Sequence, residues 1–317
     1  MDVFAAHDVE YFLYAGGNDS MDTAHKVAML AREKKYDLKV IGVPKTVDND
    51  LMFTDHCPGY GSVARFNAIT ARDSSLDTEA IYTTDTVKII ETMGRDTGWI
   101  TASTALAKEG EDDGPHLIYL PERPFYSEKF LEDVTSIYKR LGRVVVCVCE
   151  GLRDEKGEFL TASGRTGDTD AFGHKQLGGV GEYLVNLVAT KLKLKARCDR
   201  PGTIQRVSMT CASHVDLEEA LRVGEVAVSK AIEGESDKMV TLVRKDSKEY
   251  SCETGLVDLE KVALKTRKVP DAFMNENGNF VTSEFMDYAR PLIGGPLPEY
   301  TRLRKRTIER RLLDYSI

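Results

Sequence analysis

The chain has 317 residues and a formal net charge of −8, with 42% hydrophobic and 30% charged residues. That length allows one large domain or two modest ones with real hydrophobic cores. The acidic balance argues against non-specific nucleic-acid binding, and no apolar run is long enough to span a bilayer. The N-terminus shows no basic segment followed by an apolar stretch, so we expect no signal peptide.

The six cysteines show no pattern of a disulfide framework or a metal site. None forms a CxxC pair, and no histidine lies at ligand spacing from a cysteine pair. Cys147 and Cys149 lie two residues apart in an apolar run, so they should share one face of a buried strand. We therefore expect core thiols in a reducing cytoplasm.

Short apolar runs alternate with amphipathic stretches along the first half of the chain. Strands are predicted at 10–15, 38–43, 87–92, 116–120 and 144–149. Helices are predicted at 20–33, 62–71, 100–108, 128–141 and 217–232, the last with a capping box of Asp216 and Glu219. Strands that alternate with helices predict an α/β fold with doubly wound, mostly parallel sheets.

Polar segments interrupt this pattern. Residues 151–175 and 268–279 are predicted to be long surface loops. The tail 301–315 has the pattern of a basic amphipathic helix, and we favour a solvated terminal helix over a membrane or nucleic-acid contact.

A glycine-rich turn, GGNDS at 16–20, lies between a predicted strand and a predicted helix. Two glycines allow the backbone to turn sharply and approach a ligand, and the free N–H groups of the next helix favour phosphate. Many α/β proteins have such a turn without a function. The turn alone therefore leaves a phosphate site and an ordinary connection open.

A polar cluster, PKTVDND at 44–50, follows the next predicted strand. Ligands of open α/β sheets gather beyond the carboxyl ends of strands. A carboxylate can accept a proton from a sugar hydroxyl, and a lysine can neutralise phosphate. Because Asn and Asp are also common in solvated turns, the cluster by itself does not exclude a plain turn.

Taken in order, these segments resemble the phosphofructokinase family, whose paired signatures are GGDGS or GGDDS and then GTIDND or PKTIDND. Other segments are similar to the family in the same order: TDHCPGYGSVAR at 54–65, ETMGR at 91–95, CEG at 149–151, TIQR at 203–206 and PLIGGPLPEY at 291–300. Each segment alone is unspecific, whereas the ordered set is specific.

The resemblance implies roles for individual residues. Asp48 would be the general base on the 1-hydroxyl of fructose 6-phosphate, with Lys45, Asp19 and Arg95 as further catalytic residues. Substrate binding would involve Thr46, Val47, Asp50, Met93, Gly94, Glu150, Arg197, Thr203 and Arg206. Donor binding would involve Gly16, Gly17, Asn18 and Ser20, with Asn18 also a weak ligand for Mg²⁺.

Two residues favour pyrophosphate over ATP as the phosphoryl donor. The family's ATP users carry glycine at the position of Asp19, which leaves room for the α-phosphate of the nucleotide. A carboxylate there adds bulk and a like charge. Lys45 replaces the glycine of GTIDND and would add a cation for a donor that has no adenosine to anchor it. An ATP-dependent enzyme stays the alternative.

The chain also departs from the family pattern. Asn18 stands where the family has a metal-binding Asp, Thr203 where it has His or Tyr, and Val207 where it has Gly. Since GGNDS begins at Gly16, the family's GGGDxPGxN loop is expected to be missing together with roughly the first quarter of the family's chain. A misassigned start, a fragment, a degraded paralogue and a non-catalytic sugar-phosphate-binding subunit all stay open.

The organisation that the resemblance implies is two α/β sub-domains that exchange segments around a cleft. We expect a donor-side sub-domain at 1–53 and 207–265, and a sugar-phosphate-side sub-domain at 54–206 and 266–317. The implied protein is a cytoplasmic, Mg²⁺-dependent homo-oligomer, a dimer or tetramer, whose small-molecule partners are fructose 6-phosphate and pyrophosphate.

Overall fold

The computed structural model describes residues 1–161, 179–302 and 308–309. Its first helices and strands are α1 (Asp2–Ala6), β1 (Tyr11–Gly16), α2 (Asn18–Glu33), β2 (Lys39–Pro44), α3 (Tyr60–Ile81), β3 (Val87–Thr92), α4 (Trp99–Ser103), β4 (Leu117–Tyr119), α5 (Ser127–Leu141) and β5 (Val144–Cys149). They are followed by α6 (Val180–Lys191), β6 (Ala196–Asp199), α7 (His214–Ile232), β7 (Lys238–Arg244), β8 (Cys252–Asp258), α8 (Leu259–Val262) and α9 (Ser283–Ala289). Across the described ranges, no helix has both the length and the apolar character needed to cross a membrane.

The ten predicted helices and strands occur in the predicted order, with the largest differences in length at α3 and α4. Seven further elements in the described residues were not predicted: α1, α6, β6, β7, β8, α8 and α9. Helix α3 continues ten residues beyond its predicted end at 71. The predicted helix 100–108 is instead the short helix α4 followed by a 3₁₀ segment, Thr104–Ala107. The predicted tail helix 301–315 lies almost wholly outside the described residues, as does the 162–175 part of the first predicted loop.

Two four-stranded sheets organise the molecule. One has the strand order β1-β2-β7-β8, and the other has the order β4-β5-β3-β6. Neighbouring strands are parallel except for β7 and β8, which pair antiparallel. The predicted α/β fold with mostly parallel sheets is confirmed.

Two separate segments of the chain form the first sheet. Its strands come from residues 11–44 and 238–258, whereas those of the second sheet come from 87–199. The chain therefore leaves the first sheet, completes the second and returns. The sub-domain boundaries proposed from the sequence stay a prediction.

The centre of the second sheet is covered on both faces. Every residue of β3 and β5 is buried, including the free thiols Cys147 and Cys149. One face packs against a cluster that contains Trp99, and the other packs against a cluster that contains Phe130. Burial on both faces explains why β5 is a continuous apolar run without alternation, whereas β3 also buries the polar side chains of Lys88, Glu91 and Thr92.

Helix α7 begins earlier than predicted, and the predicted capping box is wrong. Ser213 is the N-terminal cap, and its hydroxyl accepts a hydrogen bond from the Asp216 N–H (3.4 Å). The Asp216 carboxylate instead accepts from the backbone N–H groups of Gly59 (2.7 Å) and Ser62 (2.9 Å). The box fails because a distant helix, α3, uses this carboxylate as its own cap.

Candidate active site

A cleft of about 370 Å³ is lined by loops that follow strands of both sheets. Residues after β1 and β2 form one wall, and residues after β3 form the other. The lining consists of Gly17, Asn18, Asp19, Ser20, Thr46, Asp48, Asp50, Gly94, Arg95, Asp96, Thr97, Leu264 and Thr266. The cleft thus lies at the carboxyl ends of parallel strands, where open α/β sheets bind ligands.

The glycine-rich turn brings the start of α2 to this cleft. Gly16 ends β1, and a Cβ atom at this position would overlap the side chain of Ser20. Helix α2 begins two residues later, so its first-turn N–H groups have no partner within the helix. Such a helix start favours an anion, which fits the predicted donor side of the site.

The loop after β2 presents alternate side chains to the cleft. Asp48 and Asp50 line it, whereas Asn49 between them is fully buried. The Asn49 amide accepts from the Cys57 N–H (2.9 Å) and donates to the Tyr288 hydroxyl (2.9 Å). Asn49 also has a φ of +56°, a left-handed conformation that Asn tolerates better than most residues. Because the Asn49 side chain is buried in the protein, the carboxylates of Asp48 and Asp50 on either side of it face the cleft.

The surroundings of the Asp48 carboxylate are suited to proton transfer. Its Oδ1 atom is buried and has no hydrogen-bond partner among the described residues. Burial, then the negative charges of Asp50 and Glu150, raise the pKa of Asp48 to about 7, although Arg95 and Lys45 oppose them. A carboxylate with a pKa near neutrality and a free lone pair is suited to act as a general base.

Asn18 and Asp50 form an oxygen-rich corner beside this base. The Asn18 Nδ2 atom donates to Asp50 Oδ2 (2.7 Å), and the buried Asn18 Oδ1 has no partner within the described ranges. Burial raises the pKa of Asp50. In the described parts of the chain, no cluster of three or more His, Cys, Asp or Glu side chains is placed to hold a metal ion. At this corner a hard cation would find the amide oxygen of Asn18 and the carboxylate oxygens of Asp50.

The loop after β3 forms the opposite wall and has little freedom. Gly94 has a φ of +139°, which only glycine adopts readily, and Arg95 has a φ of +49°. A Cβ atom at Gly151 would overlap the carbonyl oxygen of Arg95. The Met93 N–H donates to the side chain of Gln205 (3.4 Å). Close packing thus fixes the segment that carries the predicted sugar-phosphate motif.

Glu150 lies directly after β5, next to this loop. Burial and the nearby Glu91 raise its pKa, while hydrogen bonds from the backbone of Arg95 and Gly94 lower it. Glu150 does not line the cleft, but its negative charge contributes to the raised pKa of Asp48.

Several predicted site residues lie elsewhere in a single chain. Arg197 is exposed on β6, where it forms an ion pair with Asp85. Thr203 is exposed as well. Lys45, Val47 and Arg206 line a second cavity of about 520 Å³. Contacts of these residues with substrate stay a prediction.

Four residues of the cleft lining were not predicted from the sequence, among them Asp96 and Thr97. The Thr97 hydroxyl donates to the Asp48 carbonyl oxygen (3.2 Å), which ties the two walls together. Asp96 forms an ion pair with Arg153 (2.6 Å). Both follow ETMGR without a gap, so their position beside that motif was the available signal.

Comparisons with known proteins agree with this geometry. The model of the family described as "Phosphofructokinase" matches residues 1–230. The chain is 41% identical to the "Pyrophosphate--fructose 6-phosphate 1-phosphotransferase" of Xanthomonas campestris, over 98% of this chain and 77% of that protein. It is 43% identical to the Rhodospirillum rubrum protein of the same name, with the same coverage. The crystal structure of a pyrophosphate-dependent phosphofructokinase from Marinobacter aquaeolei superposes with a TM-score of 0.83 at 39% identity, covering 98% of this chain and 76% of that one.

Proposed function

The chain belongs to the phosphofructokinase family, and on that premise we propose that it transfers a phosphoryl group from pyrophosphate to fructose 6-phosphate. The products are fructose 1,6-bisphosphate and phosphate. The observation that carries this proposal is the unpartnered, buried Oδ1 of Asp48, whose pKa is about 7, in a cleft between a helix start and an arginine.

Asp48 acts as the general base. It accepts the proton of the sugar 1-hydroxyl, whose oxygen attacks the terminal phosphorus of pyrophosphate while the bond to the leaving phosphate breaks. Phosphoryl transfer requires positioning and charge stabilisation more than covalent catalysis. Arg95 lines the same cleft and offsets the charge of the transferring group.

Mg²⁺ fits the oxygen donors of this cleft. The unpartnered Oδ1 of Asn18 and the Asp50 carboxylate are hard ligands, and they would hold the ion beside the start of α2. When bound, the ion neutralises charge on the donor phosphates. Because Asn18 is uncharged, the chain supplies one negative charge fewer than a pair of carboxylates would.

Asp19 supports pyrophosphate as the donor. It lies in the first turn of α2 and lines the cleft, so its charge faces whatever phosphate the helix start binds. A nucleotide would bring an additional α-phosphate against this carboxylate, whereas pyrophosphate would not. Lys45 lines the adjacent cavity, and its charge lowers the pKa of Asp48.

The test is an assay of the purified chain with fructose 6-phosphate, Mg²⁺ and either pyrophosphate or ATP. We expect turnover with pyrophosphate to exceed turnover with ATP. Asp48→Asn should lower kcat by about 10²–10⁴-fold while leaving fructose 6-phosphate binding, measured by calorimetry, unchanged. Asp22→Asn is the control, because Asp22 pairs with Lys26 outside the cleft.

Each other outcome points to a different conclusion. Rates within threefold of wild type for Asp48→Asn would remove Asp48 as the base. A preference for ATP would favour the ATP-dependent alternative. Sugar-phosphate binding without turnover by either donor would favour a non-catalytic subunit.

A homo-oligomer in the cytoplasm belongs to the same proposal. Arg197 is exposed on β6 and would be available to a neighbouring subunit. Light scattering after size-exclusion chromatography tests the assembly, and a monomer at working concentration would contradict it.

A further inference from the structure

We propose that Arg267 is a positioning residue for the catalytic base: it holds the loop that carries Asp48 and Asp50 in its active conformation. This inference rests on the proposed function for its kinetic part. Its structural part concerns the loop itself and is tested independently of turnover.

The Arg267 guanidinium binds the backbone of this loop. Its Nε and Nη2 atoms donate to the Asn49 carbonyl oxygen (3.2 and 2.8 Å). Its Nη1 atom donates to the carbonyl oxygens of Thr54 (3.0 Å) and Asp55. The Arg267 backbone N–H donates to the Asp50 carbonyl oxygen (2.7 Å). Arg267 thus donates hydrogen bonds to four backbone carbonyl oxygens of a segment that has no regular secondary structure.

Arg267 is itself held in place. Its guanidinium lies 4.6 Å from the centre of the Trp99 ring, and the Trp99 Nε1–H donates to the Arg267 carbonyl oxygen (3.0 Å). Trp99 is buried at the start of α4, just beyond the loop that carries Arg95. Arg267 therefore connects the loop of the base to the wall that faces it.

The loop needs such a support because its conformation is unfavourable by itself. Asn49 is buried with a positive φ, and both neighbouring carboxylates are turned into one cleft. A positive φ strains a residue other than glycine, and asparagine lessens this strain without removing it. Like charges on Asp48 and Asp50 add a repulsion that favours other arrangements. The fork of Arg267 binds the peptide between them and opposes both effects.

Lysine cannot replace this arrangement. The guanidinium offers several donors in a fixed plane, whereas an ammonium group is a point charge on a flexible stem. Arg267→Lys keeps the charge and loses the fork. Arg267→Met loses the charge and keeps an apolar stem beside Trp99. Comparing these two variants therefore separates the effect of the positive charge from the effect of the planar arrangement of donors.

Arg72 provides a matched control. It is a buried arginine that also donates to backbone carbonyl oxygens, those of Ala107 (3.1 Å) and Pro298 (3.0 Å). Its partners lie outside the loop of the base. Arg72→Met should therefore lower the thermal unfolding temperature without a specific effect on Asp48.

The experiment compares Arg267→Met, Arg267→Lys and Arg72→Met by amide hydrogen exchange and steady-state kinetics. We expect Arg267→Met to accelerate exchange in residues 48–55 and to lower kcat by about 10²-fold, since small displacements of a catalytic group have effects of that size. The KM for fructose 6-phosphate should change much less. Arg267→Lys should fall between wild type and Arg267→Met.

Chemical rescue adds a direct readout of the fork. In Arg267→Ala, millimolar methylguanidinium should restore part of kcat, and methylammonium should restore less. The inference is overturned if exchange in residues 48–55 is unchanged in Arg267→Met, or if Arg72→Met lowers kcat as much. Should wild type show no turnover, the proposed function fails while the exchange comparison still decides whether Arg267 holds this loop.

Discussion

Replacing Asp48, the proposed catalytic base, should make the protein more stable, and the gain should depend on pH in a defined way. The burial of Asp48 beside Asp50 and Glu150 raises its pKa from 3.8 to about 7. In the unfolded chain the same carboxyl titrates near its ordinary value. The folded state therefore binds this proton more tightly than the unfolded state does, and ionisation of Asp48 opposes folding.

The sign and the size follow from that difference. The folding free energy is unaffected below pH 3.8, where Asp48 is protonated in both states. Stability is then lost as the pH rises to about 7, and the loss is constant above it. Because one pKa unit corresponds to about 1.4 kcal/mol, the complete loss is about 4 kcal/mol at most. Asp48→Asn removes the ionisation and should recover much of this amount at pH 8.

The assay is urea unfolding of wild type and Asp48→Asn at several pH values between 4 and 9. The difference in unfolding free energy should be small at pH 4, should grow through pH 7 and should then level off. Asp258→Asn is the control of opposite sign, since hydrogen bonds from Lys238 and Lys261 lower the pKa of Asp258 to about 2. Its carboxylate stabilises the fold above pH 3.8. Parallel stability curves for wild type and Asp48→Asn would refute the reasoning.

Three further substitutions test other parts of the molecule. Asp19→Gly should increase turnover with ATP relative to pyrophosphate, measured as the ratio of kcat/KM for the two donors, and an unchanged ratio would remove the steric and electrostatic argument. Gly151→Ala should weaken fructose 6-phosphate binding in calorimetry and cost about 1–3 kcal/mol of stability, because its Cβ would overlap the Arg95 carbonyl oxygen in the loop proposed to bind the sugar phosphate. Burial opposes protonation of His56, but hydrogen bonds to Asp55 and Glu219 outweigh it and raise the pKa of His56. The stability that this cation provides is complete below pH 6.5 and is lost as the pH rises through the folded-state pKa. His56→Gln should therefore cost most near pH 6, by about 3–5 kcal/mol, and a loss that grows with pH in urea unfolding would contradict this account.

Much of the fold could be predicted because its determinants are local. The apolar run of β5, for example, is typical of a strand that is covered on both faces. Strands β6, β7 and β8 escaped prediction. Strands β6 and β8 lie at sheet edges and have few buried residues, so no period marks them. Strand β7 is an interior strand whose four consecutive buried residues, 239–242, were not recognised in the sequence.

Several residues of the candidate site could also be predicted from the sequence. The residues that line the cleft lie directly after strands, and the fold brings the ends of those strands together. Asp48, Asp50, Asn18 and Arg95 could therefore be named in advance, although not their distances. The environment of Asp48 could not, since its raised pKa depends on burial by the complete fold and on Glu150, which is far away in the sequence.

The remaining features depend on contacts between distant parts of the chain. Arg267 reaches Asn49 across 218 positions, and Asp216 caps a helix that begins more than 150 residues earlier. No spacing rule relates such pairs, because the chain between them can fold in many ways that leave the local pattern unchanged. The sequence by itself predicted which residues could carry the proposed chemistry and beside which strands they lie. Only the tertiary structure decided which of them share a cleft, which carboxylate keeps its proton near neutrality, and which arginine supports the loop, since burial and non-local hydrogen bonds set all three.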